Sequence, residues 1–266
     1  MLLAAAAAAV LVFYMILERS SEEPSSGPYG GDHSLTESSK AYSGEGDIAK
    51  TEAVTLPPQK QRAYEKTKTI KNICQLPELP TGCEVTALAV LLQSLGYDAD
   101  PVALARHYLP MQEFYISDGL RFGADPDKAF AGSPFTADSY GAYSGAIEET
   151  ANAYLTYKGS ALRARAYQSC DFELFSDMVK AGKPVLIWVT IDLKESTVSD
   201  SWFTLEGEQV CWRSNEHCMV LVTIDEQNGT VLCADPLKDT EELCEYELSL
   251  FTERFYEMGA QGLIIA

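Results

Sequence analysis

Between residues 83 and 96 the apolar positions follow a helical period. Val85, Leu88, Leu91, Leu92 and Leu95 recur three or four apart, and Gly96 ends the run. The stretch before it, LPELPTG, carries prolines at 77 and 80 and a glycine at 82. A stiff loop is therefore expected to lead into a helix that opens at Cys83. DADPVALARHYLP predicts a second, short helix, with Asp100 as N-cap and Pro101 in its first turn. Residues 110–141 mix Gly, Asp, Pro and aromatics without a period and read as long surface loops. SGAIEETANAYLTYKG predicts a third helix closed by Gly159. DFELFSDMVKAGKP predicts a fourth, with Asp171 as N-cap and Gly182 past its end.

The pattern then changes. PVLIWVTID is a continuous apolar run of strand length. HCMVLVTID, EQNG and TVLCADP read as two strands joined by a tight Asn-Gly turn. EELCEYEL and GLIIA are further strand candidates, with a short helix at 248–258 between them. Helices first and strands later give an α+β class: a helical lobe packed on a mostly antiparallel sheet. No internal repeat is visible.

Two segments precede this part. Residues 1–17, MLLAAAAAAVLVFYMIL, are uncharged and near the lower length limit for a membrane-spanning helix. They lack a basic n-region and a small-residue cleavage site after the apolar stretch. An uncleaved N-terminal membrane anchor is therefore favoured over a signal segment. Residues 18–63 are rich in Ser, Gly, Glu and Pro and read as a flexible tether. Only Arg19 and then Lys40 follow the first segment closely, which fits a domain (64–266) on the extracytoplasmic side, or secreted.

Composition narrows the function classes. Hydrophobic residues make up 46% and charged residues 22%, a globular balance. Asp and Glu number 39 against 20 Lys and Arg, a net charge of −19. That balance argues against a nucleic-acid partner and against binding to an anionic membrane surface. Membrane contact is expected through the N-terminal segment only. No cofactor is implied, and no phosphate-binding G-x-x-x-x-G-K-[ST] loop occurs. The seven cysteines (74, 83, 170, 211, 218, 233 and 244) are odd in number, so in an oxidising compartment at least one lacks an intramolecular partner.

Cys83 is the candidate nucleophile. First-turn N–H groups of a helix carry partial positive charge and favour thiolate, which would lower its pKa. The alternative is a small buried hydrophobe, which many free cysteines are. A thiol nucleophile needs a base, and histidine is the usual one. His33 falls in the tether and His107 on a short helix. His217, 134 positions after Cys83 (217 − 83), opens a strand and is the remaining candidate. A packed edge histidine is its other reading. Asp235, 18 positions further (235 − 217), comes roughly opposite His217 across the hairpin. It could fix the imidazole's tautomer, or simply start an Asp-Pro turn. Asp225 lies at the turn end and is the poorer partner. Oxyanion donors could be the Cys83 backbone N–H and the Gln75 amide, although a surface glutamine fits the spacing almost as well.

Taken in order, QLPELPTGCEVTALAVLLQSLGY, YGAYSGAIEETANAYL, PVLIWV, HCMVLVTID and ADPL resemble the C39-like cysteine peptidases of the papain-like superfamily. The resemblance covers most of residues 70–266. It implies a papain-like fold with the nucleophile at a helix N-terminus. It also implies a thiol hydrolase that cleaves peptide or amide bonds of a peptide or protein substrate. By that resemblance Cys83 is the nucleophile, His217 the general base and acid, Asp235 the orienting group and Gln75 the oxyanion donor. Some members of the C39 clan are fused to transporters, and nothing here resembles one. The competing class is a catalytically inactive, papain-like peptide-binding module. A metal site from Cys211, His217, Cys218 and Cys233 is disfavoured by irregular spacing, and a serine hydrolase by the lack of a G-x-S-x-G elbow.

Overall fold

The computed structural model describes residues 69–266. The expected anchor (1–17) and tether (18–63) lie outside the described residues. Among the described residues no helix is long and apolar enough to cross a membrane.

The chain opens with helix α1 (Cys83–Ser94) and helix α2 (Pro101–His107). Asp100 caps α2 by accepting the Ala103 N–H at 2.7 Å. Helix α3 is Ser144–Tyr157 and α4 is Phe172–Lys180. Asp171 is the N-cap residue of α4, but its side chain makes no capping bond. The main sheet comprises β5 (Ala164–Tyr167), β6 (Val185–Thr190), β9 (Glu216–Asp225), β10 (Thr230–Ala234), β11 (Cys244–Glu247) and β12 (Gly262–Ile265). Their spatial order is β11-β10-β9-β6-β12-β5, and every pairing is antiparallel. Helix α5 (Leu248–Glu257) lies between β11 and β12 in sequence.

The α+β class matches the expectation, but the layering differs. Helices cover both faces of the sheet rather than one. Leu186 and Trp188 of β6, with Cys218, Val220 and Val222 of β9, pack towards α1, α2 and α3. The alternate residues Val185, Ile187, Val189, Met219 and Leu221 pack towards α4 and α5, against Phe175, Phe251 and Phe255. This explains the unbroken apolar runs, because a strand buried on both faces cannot alternate with polar residues. Each such fully buried side chain contributes about 1.5–3 kcal/mol.

Residues 110–141 are not only loops. They contain β1 (Met111–Gln112), β2 (Tyr115–Ser117), β3 (Leu120–Phe122) and β4 (Phe130–Ala131). Strands β2 and β3 join β7 (Val198–Phe203) and β8 (Gln209–Arg213) in a second sheet, ordered β2-β3-β7-β8. A two-residue Asp118-Gly119 turn links β2 to β3, with φ of 52° and 78°, the positive values that a primed hairpin turn requires. The β9–β10 connection is longer than a tight Asn-Gly turn. Asp225 pairs with Thr230, so residues 226–229 form the loop. The Asp225 carboxylate accepts the N–H groups of Gln227 and Asn228, an Asx-type turn.

Candidate active site

The hairpin β9–β10 carries two of the candidate residues, and its register decides whether they meet. From Asp225–Thr230 to Thr223–Leu232 the pairing is regular. It then shifts by one residue, so that Cys233 pairs with Leu221 and Ala234 with Val220. Continued by one step, that register sets Asp235 opposite Met219, two residues from His217 and on its side of the pleat. Without the bulge, Asp235 would fall opposite Val220 and on the other face. The bulge re-aims the Asp235 side chain, a common use of this irregularity beside functional sites.

His217 Nε2 lies 2.7 Å from Asp235 Oδ1, and the two residues are each 1% exposed. The Asp235 carboxylate also accepts the Leu237 N–H at 2.9 Å and the Tyr246 hydroxyl. Burial alone would raise the Asp235 pKa. The bonds from His217, Tyr246 and Leu237 outweigh it and hold the pKa down at about 2. An ionised carboxylate can only accept, so His217 carries its hydrogen on Nε2. Nδ1 is then the basic nitrogen, and it is buried without a hydrogen-bond partner. On Tyr246, burial and the neighbouring carboxylate push the phenol pKa up.

Cys83 is the first residue of α1, and no side chain caps this helix. The preceding loop is tied to the Asp235 end of the sheet. The Gln75 N–H donates to Pro236 O at 2.8 Å. The Asn72 amide donates to Lys238 O and Thr240 O, both at 3.0 Å. Gln75 is 3% exposed, so it is not a surface residue. Its side-chain amide donates to Leu79 O and Pro80 O, both at 3.0 Å, and its Oε1 has no partner. Both amide hydrogens are thus committed within the loop.

Cys83, His217 and Gln75 line one cleft of about 200 Å³, with Pro80, Thr81, Ser139, Tyr140, Ile191, Trp212, Asn215, Glu216 and Leu237 completing its wall. The aromatic wall is well ordered by packing: Tyr143 stacks on Trp212 at 5.4 Å, and Tyr140 meets the same ring edge-on at 5.7 Å. Tyr140 also donates to Asp200, which pairs with Arg121 at 2.5 Å.

Besides Tyr246, two acidic residues at this site carried no role in the sequence reading. Glu84 is fully buried, accepts the Ala142 N–H at 2.5 Å and accepts the Cys83 S–H at 3.4 Å. Glu216 is 8% exposed, and its Oε1 has no partner. Burial raises the Glu84 pKa to about 7, against its bonds from backbone N–H groups and from Cys83. Burial, and then the Glu84 charge, raise the Glu216 pKa well above the usual carboxylate range. The same burial, with Glu84, Glu216 and Cys218 beside it, pushes the Cys83 thiol well above its usual range, against the Cys218 N–H that favours thiolate. The expectation of a depressed thiol pKa at the helix start is therefore reversed. Helix-end partial charges are smaller than the cost of burying a thiolate beside two carboxyl groups.

The disfavoured metal set is dispersed. Cys211 is exposed on β8, and Cys218 and Cys233 pack on opposite faces of the main sheet. All seven cysteines are free thiols.

The match to the Peptidase_C39 like family runs over residues 57–263, and the chain belongs to that family. A protein of Bacillus subtilis (strain 168) called YvpB, itself uncharacterized, is 27% identical over 194 residues, covering 73% of this chain and 72% of YvpB. The crystal structure of a candidate C39-like peptidase from Bacillus anthracis is 31% identical. It superposes with a TM-score of 0.64, over 74% of this chain and 94% of that one.

Proposed function

We propose that this chain is a cysteine-type peptidase, a thiol hydrolase of peptide or amide bonds with a papain-like site. Cys83 at the start of α1 is the nucleophile, His217 the base and acid, and Asp235 the orienting group. One observation supports the reading above the others. The His217 imidazole has one nitrogen anchored on an ionised carboxylate and the other buried, basic and unpaired, in a cleft that Cys83 also lines. In this reading the sulfur turns from Glu84 to His217 Nδ1, gives up its proton there and attacks the substrate carbonyl. His217 returns the proton to the leaving amine, and water then releases the acyl group from sulfur. The Cys83 backbone N–H is the first oxyanion donor. Gln75 contributes only by releasing Leu79 O or Pro80 O.

The competing reading, a module that binds peptide without cleaving it, is favoured by the Cys83 S–H being held on Glu84 with its pKa raised. An electrophilic peptide probe separates the two. Covalent labelling of the wild type, its loss in Cys83→Ala and slowing in His217→Ala support the peptidase. Peptide binding with equal labelling of the wild type and Cys83→Ala rejects it.

A further inference from the structure

At the proposed nucleophile lies a donor set whose two carboxyl groups the hydrolytic mechanism leaves unused. Cys83, Glu84 and Glu216 each present a ligand atom, and the three atoms lie within 4.8 Å of one another. Cys83 Sγ and Glu84 Oε2 are already 3.4 Å apart. Tetrahedral zinc sites with bonds of about 2.0–2.3 Å place neighbouring ligands about 3.5 Å apart. The two carboxyl heads converge on one point: a Cβ added at Gly141 would meet Glu84 Oε1 at 2.6 Å and Glu216 Oε2 at 2.9 Å. The second observation is independent of that convergence. The other oxygen of this Glu216 head, Oε1, is buried and has no hydrogen-bond partner, in a residue 8% exposed. A buried acceptor left unpaired is costly unless something binds it.

We propose that Cys83 Sγ, Glu84 and Glu216 bind a borderline divalent transition-metal ion of the zinc class, and that the bound ion locks the thiol. A sulfur ligand with two carboxylates selects zinc-class ions over calcium and magnesium, which prefer all-oxygen sites. On binding, the thiol and any protonated carboxyl release their protons to solvent. The metal–sulfur bond replaces S–H, and three anionic ligands around a divalent ion leave one net negative charge. The cleft supplies water for the remaining position. A sulfur bound this way cannot attack, so the ion acts as a reversible inhibitor. Only that consequence rests on the proposed nucleophilic role of Cys83; the binding does not.

The test uses the purified chain, with Co²⁺ as optical reporter and Zn²⁺ as competitor. A near-ultraviolet sulfur-to-cobalt charge-transfer band is expected in the wild type and in Cys218→Ser, and its absence in Cys83→Ser. Glu216→Gln should weaken Zn²⁺ competition about tenfold or more, with circular dichroism reporting on its fold. Zinc-edge X-ray absorption of the wild type needs no variant and is expected to show one sulfur with oxygen ligands and no imidazole scattering. A wild type without the band, an imidazole signature, or a band lost in His217→Ala but kept with unchanged Zn²⁺ competition in Glu216→Gln overturns the site. Because these readouts record metal rather than turnover, they stand or fall separately from the peptidase reading.

Discussion

Replacing Asp235 by asparagine removes a charge while keeping the shape of the side chain. The wild-type carboxyl titrates at about 2 when folded, against an ordinary 3.8. The folded state therefore binds fewer protons than the unfolded state between these values, and stability rises with pH across that window. The gap of about 1.8 pH units, at 1.36 kcal/mol each, corresponds to about 2 kcal/mol. This contribution is fully present above about pH 4 and is lost as pH falls through 2. Asp235→Asn should then be less stable than the wild type by about 2 kcal/mol at pH 7. Below pH 2, where the wild-type carboxyl is itself neutral, the two proteins should converge. Urea unfolding followed by tryptophan fluorescence at a series of pH values measures both quantities. A difference that stays constant from pH 7 to pH 2, or that is absent at pH 7, would refute the charge-based account of the His217–Asp235–Tyr246 cluster.

Tyr246→Phe deprives Asp235 of its hydroxyl donor. It should cost about 1.5–3 kcal/mol at neutral pH and move the acid unfolding midpoint upwards, both read from the same urea series. Gly141→Ala places a methyl group against Glu84 Oε1, Glu216 Oε2 and Trp212, the last at 3.1 Å. Thermal melts should show a loss of about 1–3 kcal/mol, and an unchanged melt would mean that the two carboxyl groups have room to turn away. Alkylation of Cys83 by iodoacetamide, followed by mass spectrometry of its peptide, should keep accelerating beyond pH 9, because burial and the adjacent carboxyl groups hold the thiol protonated. A rate already on its plateau at pH 7 would show that the free protein carries a thiolate paired with His217 instead.

Long periodic segments were legible in the sequence and short ones were not. Helices α1 and α3 show their period over many residues, strands β6 and β9 are unbroken apolar runs of strand length, and each falls where the pattern puts it. Strands β1 to β4 have two or three residues apiece, too few for alternation to show. The one local signal in that region was the Asp118-Gly119 pair. It is a strong hairpin marker, hidden among neighbours that also look like loop residues. The two-sided layering was implicit in VLIWV and CMVLV. An unbroken apolar run does not by itself distinguish a sheet covered on both faces from a strand with one casual apolar exposure.

The site was legible only as far as residue type reveals role. Cys83, His217 and Asp235 announce their chemistry, whereas Glu84 and Glu216 read as ordinary charges until their burial is known. Tyr246 did leave a trace, since Glu245 and Glu247 flank it in strand alternation and imply that it points inward. The decisive element was beyond the reach of residue pattern. Along β9, Glu216 and Cys218 face the Cys83 side while His217, between them, faces Asp235. Period-2 alternation makes that division unavoidable, so one strand end serves both halves of the cleft. Which residue joins which half depends on the single-residue bulge between β9 and β10, because shifting the register by one exchanges the faces. Deleting Val222 would remove the bulged residue yet keep the pairs Leu221–Cys233 and Val220–Ala234, so the His217–Asp235 bond should survive it. Inserting one residue between Ala234 and Asp235 instead moves Asp235 one step along, opposite Cys218 and onto the other face, and should abolish that bond. A His217–Asp235 bond that persists in the folded insertion variant, or that is lost in the folded Val222 deletion, would contradict the reading of this register as what assembles the site.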